Sequence, residues 1–333
     1  MTARRHGAKN SKGWRRMRSE PVAALERADE YVRATAPLLD AATGIQHMAV
    51  FLDPDPRVVR AEPSVWPTLR AVYVLSLLER SHLACVVTLA RNHRWLSGVL
   101  SSVGTNNLLT FAACLRGFLE AAADSHDVLQ YLPRTLIEGR DYFYAALHRP
   151  ERVQAELSCG PLEDRLIHFA FARRQEIGAD APSTHAPKAT TEYIRQIQSF
   201  GVDGAVALYA ELCELTHPAA PSVDCFLDAT TCNYVLNLHK DQDCIKDLLR
   251  RHNGALIRLL MYSFNPALTG LAFLARLAPG WPAPSDRSLR DIPLATRSMP
   301  LFDALPIRFG EATPVAWFQQ TLSQLAQAPS SVP

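Results

Sequence analysis

The sequence predicts an all-α fold, a multi-helix bundle carrying a basic N-terminal arm and a Pro-rich C-terminal extension. Three observations carry that prediction. Apolar residues recur at helical spacing through most of the 333 residues. No series of alternating segments is long enough to build a sheet of any size. Prolines and Ser/Gly clusters punctuate the chain at intervals that suit helices rather than strands. With 48% hydrophobic and 20% charged residues, the chain has enough apolar surface for a sizeable core and is not globally disordered.

The elements follow in order. Residues 1–19 form the basic arm, with Arg4, Arg5, Lys9, Lys12, Arg15, Arg16 and Arg18 and no acidic residue. The net charge of the chain is only +2, so the asymmetry matters more than the total. Such an arm is read as disordered and solvated, with Arg4, Arg5, Arg15, Arg16 and Arg18 available to neutralise phosphates. No apolar run follows it, so a secretion signal is not expected. The bundle is assigned to residues 20–278. Its first helix opens at Ser19-Glu20-Pro21 and runs to about residue 50, and the four prolines of 51–67 make a loop.

A long helix is expected over 68–95, apolar on more than one side and therefore central. A Ser/Gly-rich turn at 97–104 leads to a second long helix over 106–132, ended by Pro133. Shorter helices are expected at 134–148, 161–177, 189–200 and 202–217, with 178–190 as the most mobile connection. The stretch 222–239 fits either a short helix or a strand. A helix from Asp241 to about Phe264 is expected to meet another after Asn265-Pro266. The uncharged run 259–275 is just short of a membrane span and is interrupted there, so integral membrane association is not expected. From residue 279 prolines multiply, and the extension 279–333 closes on an amphipathic helix near 314–327. Seven cysteines without a C-x-x-C pair suit a reducing, cytoplasmic setting.

Glycine-rich phosphate loops, H-E-x-x-H and G-x-S-x-G are all absent from the sequence, so glycine-loop nucleotide binding, zincin proteolysis and α/β-hydrolase chemistry lose most of their support. Two constellations remain. Arg116 and Glu120 stand one turn apart, with Asp124 and Asp127 continuing their stripe. "YAELCELTHPA" (209–219) puts Tyr209, Glu214 and His217 at a helix end closed by Pro218. His217 reads either as a helix cap or as a reactive imidazole. Arg116, Glu120, Tyr209 and His217 are the candidate catalytic residues. Arginine beside histidine suits phosphodiester chemistry, the first stabilising charge on phosphorus and the second moving protons.

Glu-x-x-His also occurs twice, at Glu79–His82 and Glu214–His217. Glu at i and His at i+3 share a helix face, as in four-helix di-iron carboxylate proteins. The alternative reading is therefore a carboxylate-bridged oxidoreductase holding iron or manganese on Glu79, His82, Glu120, Glu214 and His217. Glu26 or Glu30 would supply the remaining carboxylate. A zinc set drawn from Cys213, His217, Cys225, Cys232, His239 and Cys244 matches no familiar module spacing. A scaffold without any site is the third reading.

On the Arg116-Gly-Phe-Leu-Glu120 helix and the Tyr-(x)7-His helix end of Tyr209 and His217, the chain resembles a loose group of bacterial all-helical proteins of unknown function. That group is similar in outline to HEPN-type helical bundles, which include ribonucleases of toxin–antitoxin and defence systems. The resemblance covers roughly 65–260. It implies a defence or toxin–antitoxin type module that contacts RNA, with a homodimer as a further expectation. The HEPN nuclease signature of Arg, four to six residues, then His is absent, so that family's catalytic residues are not carried over.

Overall fold

The computed structural model describes residues 23–47, 63–153, 159–172, 183–230, 233–277 and 281–284. The candidate nucleic-acid residues Arg4, Arg5, Arg15, Arg16 and Arg18 lie outside this set, as do Cys232 and the expected helix near 314–327.

The described chain is all-α apart from one small hairpin. Its helices are α1 (Ala23–Ala42), α2 (Trp66–Thr105), α3 (Leu108–Leu129), α4 (Leu132–Glu138), α5 (Arg140–His148), α6 (Gly160–Phe171), α7 (Thr190–Ser199), α8 (Ala205–Thr216), α9 (Ala220–Asp224), α10 (Asp241–Arg251) and α11 (Asn253–Leu277). The antiparallel strands β1 (Leu227–Ala229) and β2 (Tyr234–Leu236) resolve the ambiguous stretch into a short helix followed by a hairpin. The chain divides into two compact units. Of the described residues, the first comprises 23–39, 88–127, 188–230 and 233–265; the second comprises 40–47, 63–87, 128–153, 159–172, 183–187, 266–277 and 281–284.

Several boundaries depart from the sequence expectation: the first helix ends at Ala42, not near residue 50, and the helix expected over 134–148 is divided at Gly139. The Ser/Gly cluster at 97–104 is not a turn, because α2 runs unbroken to Thr105. Ser97 and Ser102 satisfy their hydroxyls on the carbonyls of His93 and Gly98 inside the helix. Gly98 serves close packing, since a Cβ there would come within 2.7 Å of Cys114 Sγ. The chain turns one step later, where Asn106 takes a φ of 51° and Asn107 Oδ1 accepts the Thr110 N–H.

Asn265-Pro266 likewise ends nothing, and α11 passes through it to Leu277. An internal proline costs a helix about 3 kcal/mol. Burial on both sides of it offsets that cost, with Phe264 and Ala267 fully inaccessible. The break falls earlier, between α10 and α11, where Asn253 Oδ1 accepts the Ala24 N–H. Pro133 sits in the first turn of α4 instead of terminating the preceding helix.

The first unit centres on aromatic packing. Tyr31 of α1 stacks on Phe264 with ring centroids 4.7 Å apart, and Phe118 of α3 lies 6.4 Å from Phe264. Two buried polar side chains tie its helices together: Tyr31 donates to Asn265 Oδ1 at 2.7 Å, and Asn92 Nδ2 donates to the Ser263 carbonyl at 3.0 Å.

The second unit packs Leu75, Leu77, Leu78, Leu132 and Phe143, all essentially inaccessible. Gly270 of α11 lets that helix approach closely, because a Cβ would fall 2.7 Å from Leu132 Cδ2 and 3.0 Å from Cys85 Sγ. Gly270→Ala is therefore expected to lose stability despite alanine's better helix propensity. Overpacking costs about 1–3 kcal/mol against a gain of about 1 kcal/mol. A thermal melt checks it; an unchanged or higher midpoint would contradict the packing.

The beginning of the C-terminal extension packs within the second unit, where the Trp281 ring lies 4.8 Å from the His82 ring. Among the described residues two helices, α2 and α11, are long and apolar enough to cross a membrane. Their apolar windows are 72% and 67% buried inside the protein.

Candidate functional site

The polar cluster on α3 and α8 is built from local rules. Arg116 and Glu120 share a face of α3, and Arg116 Nε donates to Glu120 Oε1 at 3.0 Å. Glycine at 117 lets α3 approach the Trp95 indole, since a Cβ there would lie 2.8 Å from its ring atoms. From α8, Tyr209 donates its hydroxyl to the same Glu120 Oε1 at 3.1 Å.

Pro218 determines the exit from α8. A residue before proline is disfavoured in the helical region, and His217 adopts the extended pair φ −105°, ψ 161°. His217 is indeed the helix cap, its N–H donating to the Cys213 carbonyl at 2.9 Å. Its ring also reaches the cluster: Nε2 lies 2.9 Å from Arg116 Nη1. The two readings of His217 are therefore not exclusive.

The four candidate catalytic residues thus meet at one place. Thr216 joins them by accepting from Arg116 Nη1 at 3.1 Å, and the Arg116 guanidinium lies 5.8 Å from the centre of the Tyr209 ring. The site is half open, with Arg116 and Glu120 partly buried and His217 exposed.

Its proton arrangement follows from donor counting. A guanidinium only donates, so His217 Nε2 accepts and the neutral ring carries its proton on Nδ1. Burial and the neighbouring Glu120 carboxylate push the Tyr209 phenol up to about 12, which keeps it a donor. Burial disfavours the Arg116 charge, but the Glu120 hydrogen bond together with the nearby Cys213, Glu120 and Tyr209 side chains outweighs this and raises its pKa.

The other candidates are placed elsewhere. Glu214 is exposed and takes no part in the network. Asp124 pairs with Arg91, and Asp127 accepts from Lys188 Nζ and Gln196 Nε2, both at 2.8 Å. Glu30 pairs with Arg27 at 2.8 Å, and Glu26 is exposed.

Glu79 and His82 belong to the second unit, whereas Glu120, Glu214 and His217 belong to the first. Among the described residues no group of three or more His, Cys, Asp or Glu side chains is placed to hold a metal ion. The residues described here do not fit an iron, manganese or zinc centre.

His82 is instead fully buried against other rings. Its Nδ1 lies 2.7 Å from His47 Nε2, and its Nε2 lies 3.4 Å from the Pro282 carbonyl. The arrangement suits two neutral imidazoles in a chain of donors. Burial, with a smaller contribution from His47, depresses His82 to about 4. Burial also brings His126 to about 4, against the opposing pull of Asp127.

Both values lie below the ordinary imidazole value of about 6.5, so the unfolded chain binds more protons than the folded one as the pH falls. Stability contributed by the two neutral rings is complete above about pH 6.5 and declines as the pH drops towards 4. Near pH 5 the loss should be roughly 2 kcal/mol for each ring. Urea midpoints at pH 8 and pH 5 check this, and His82→Asn should flatten the dependence.

Sequence reasoning missed several partners of α8. Glu211 receives Arg251 Nη2 at 2.6 Å and His252 Nε2 at 2.9 Å. Burial would raise the Glu211 pKa, but those hydrogen bonds bring it below the usual carboxylate range. No local signal announces a pairing across 40 residues. Cys213, one turn beyond Tyr209 and within hydrogen-bonding reach of it, was legible from helical spacing alone. No family model, no curated protein and no solved structure matches this chain.

Proposed function

We propose that the Arg116–Glu120–Tyr209–His217 cluster receives a phosphodiester and that the protein is a cytoplasmic, RNA-contacting module, HEPN-like in outline, of the defence or toxin–antitoxin type. The observation that supports this most is the 2.9 Å contact between Arg116 Nη1 and His217 Nε2 on a partly open surface. A planar guanidinium matches the oxygens of a phosphate. A phosphate that takes over the Nη1 donor frees the His217 Nε2 lone pair beside the bound group.

That lone pair is then suited to accept the proton of an attacking 2′-hydroxyl as its oxygen bonds to phosphorus. The Tyr209 phenol, held protonated, is a proton source for the departing 5′-oxygen. Glu120 keeps Arg116 and Tyr209 aimed through its single shared oxygen. The Arg-x-x-x-Glu and Tyr-(x)7-His motifs that carry the HEPN resemblance supply these same residues. Arg4, Arg5, Arg15, Arg16 and Arg18 would add phosphate contacts along the strand.

The experiment uses a fluorescein-labelled single-stranded RNA with the full chain. Anisotropy reads binding, and a denaturing gel reads cleavage. Affinity is expected to fall with rising salt at a slope of about −0.7 per phosphate neutralised. Absence of RNA binding by the wild-type chain at low salt would end the proposal. Cleavage lost in both Arg116→Ala and His217→Ala would extend it from binding to catalysis.

A further inference from the structure

The hairpin β1–β2 offers a backbone edge whose direction can be worked out. Asn237 N–H donates to the Phe226 carbonyl and Thr230 N–H to the Asn233 carbonyl, each at 2.8 Å. These bonds bracket the register Leu227–Leu236, Asp228–Val235, Ala229–Tyr234. In an antiparallel ladder hydrogen-bonded and non-bonded pairs alternate, so Asp228 and Val235 form the bonded pair between them. Tyr234 and Leu236 therefore turn their N–H and C=O groups outward, away from β1.

The side chains on this edge are apolar and in water: Tyr234 is 73% exposed, Val235 53% and Leu236 65%, flanked by Val223 at 57% and Leu238 at 64%. Protein edges of this kind are ordinarily guarded by lysine, proline or a bulge. Strand β2 carries none of these. The lysine that follows the hairpin is turned away to an ion pair, with Lys240 Nζ 3.1 Å from Asp228 Oδ1.

We infer that this edge joins two copies of the chain. Strand β2 pairs antiparallel with β2 of a second copy about a twofold axis at Val235. Tyr234 of one copy then stands opposite Leu236 of the other. Both are outward-facing residues, so every donor and acceptor on the edge finds its counterpart, as an isologous contact requires. The five exposed side chains present about 600 Å² per copy, so about 1,200 Å², the lower bound of a stable interface, is the most they can supply to the pair. Being uncharged, the strand meets its own copy without repulsion, and a four-stranded sheet replaces an isolated hairpin that is marginal in water.

The test is the mass of the full 36.9 kDa chain in solution, by light scattering and sedimentation at micromolar concentrations. The wild type is expected near twice the chain mass, with dissociation on dilution. Leu236→Lys and Tyr234→Lys place like charges across the twofold axis and are each expected to give monomers with unchanged circular dichroism. A monomeric wild type overturns the inference, whether the edge is covered by this chain's own residues 285–333 or by another protein. A dimer that survives both substitutions overturns it equally, because the contact then lies elsewhere. Should one variant misfold, the other carries the test.

Discussion

Arg116→Ala is expected to weaken binding of single-stranded RNA by about 10- to 100-fold while leaving the fold nearly as stable as before. The size follows from charge-assisted hydrogen bonds, worth about 1.5–3 kcal/mol each when a charged group is involved. Arg116 is the hub of the cluster, joined to Glu120, Thr216 and His217. Its removal also leaves the Glu120 carboxylate without its nearest positive charge, which repels a phosphate.

The stability cost should stay within about 1 kcal/mol, because a partly solvated ion pair within one helix contributes little. Arg116→Lys separates charge from shape. Lysine restores attraction but not the planar fork, so an intermediate affinity is expected. If Arg116→Ala binds RNA as the wild type does and loses several kcal/mol in urea, the cluster is a strut between helices, and the scaffold reading is correct.

The largest loss of stability is expected from Phe264→Ala. The ring is fully buried, stacks on Tyr31 at 4.7 Å and approaches Phe118 at 6.4 Å, so three helices lose packing at once. Large-to-small changes at such sites cost about 3–5 kcal/mol, and aromatic pairing adds to that cost. The thermal midpoint should fall by about 10 °C. Phe264→Leu fills more of the cavity and should recover a good part of the loss. A midpoint within two or three degrees of the wild type for Phe264→Ala would contradict the packing described.

The helices were legible because their apolar faces repeat, and Arg116 and Glu120 were legible as a pair because one turn separates them. The misplaced boundaries share a cause. Glycine, serine and proline at 97–104 and 265–266 are local signals for a break, and tertiary contacts override them. Gly98 admits Cys114, and Asn265 accepts from a tyrosine 234 residues away in sequence. The meeting of Tyr209 and His217 with Arg116 was anticipated from the chemistry of these residue types and from short motifs, not from periodicity. The His47–His82 and Glu211–Arg251 pairings had no local signature, since each joins segments that only the folded chain brings together.

Pro218 makes no hydrogen bond in the cluster, yet it restricts the backbone of the residue before it. The orientation of His217 is thus inherited through a neighbour that no list of contacts would nominate. Over generations, replacement of Pro218 would be almost silent in stability. It would surface as a histidine that no longer arrives in one orientation, and as lineages in which Arg116, relieved of its companion, is free to drift.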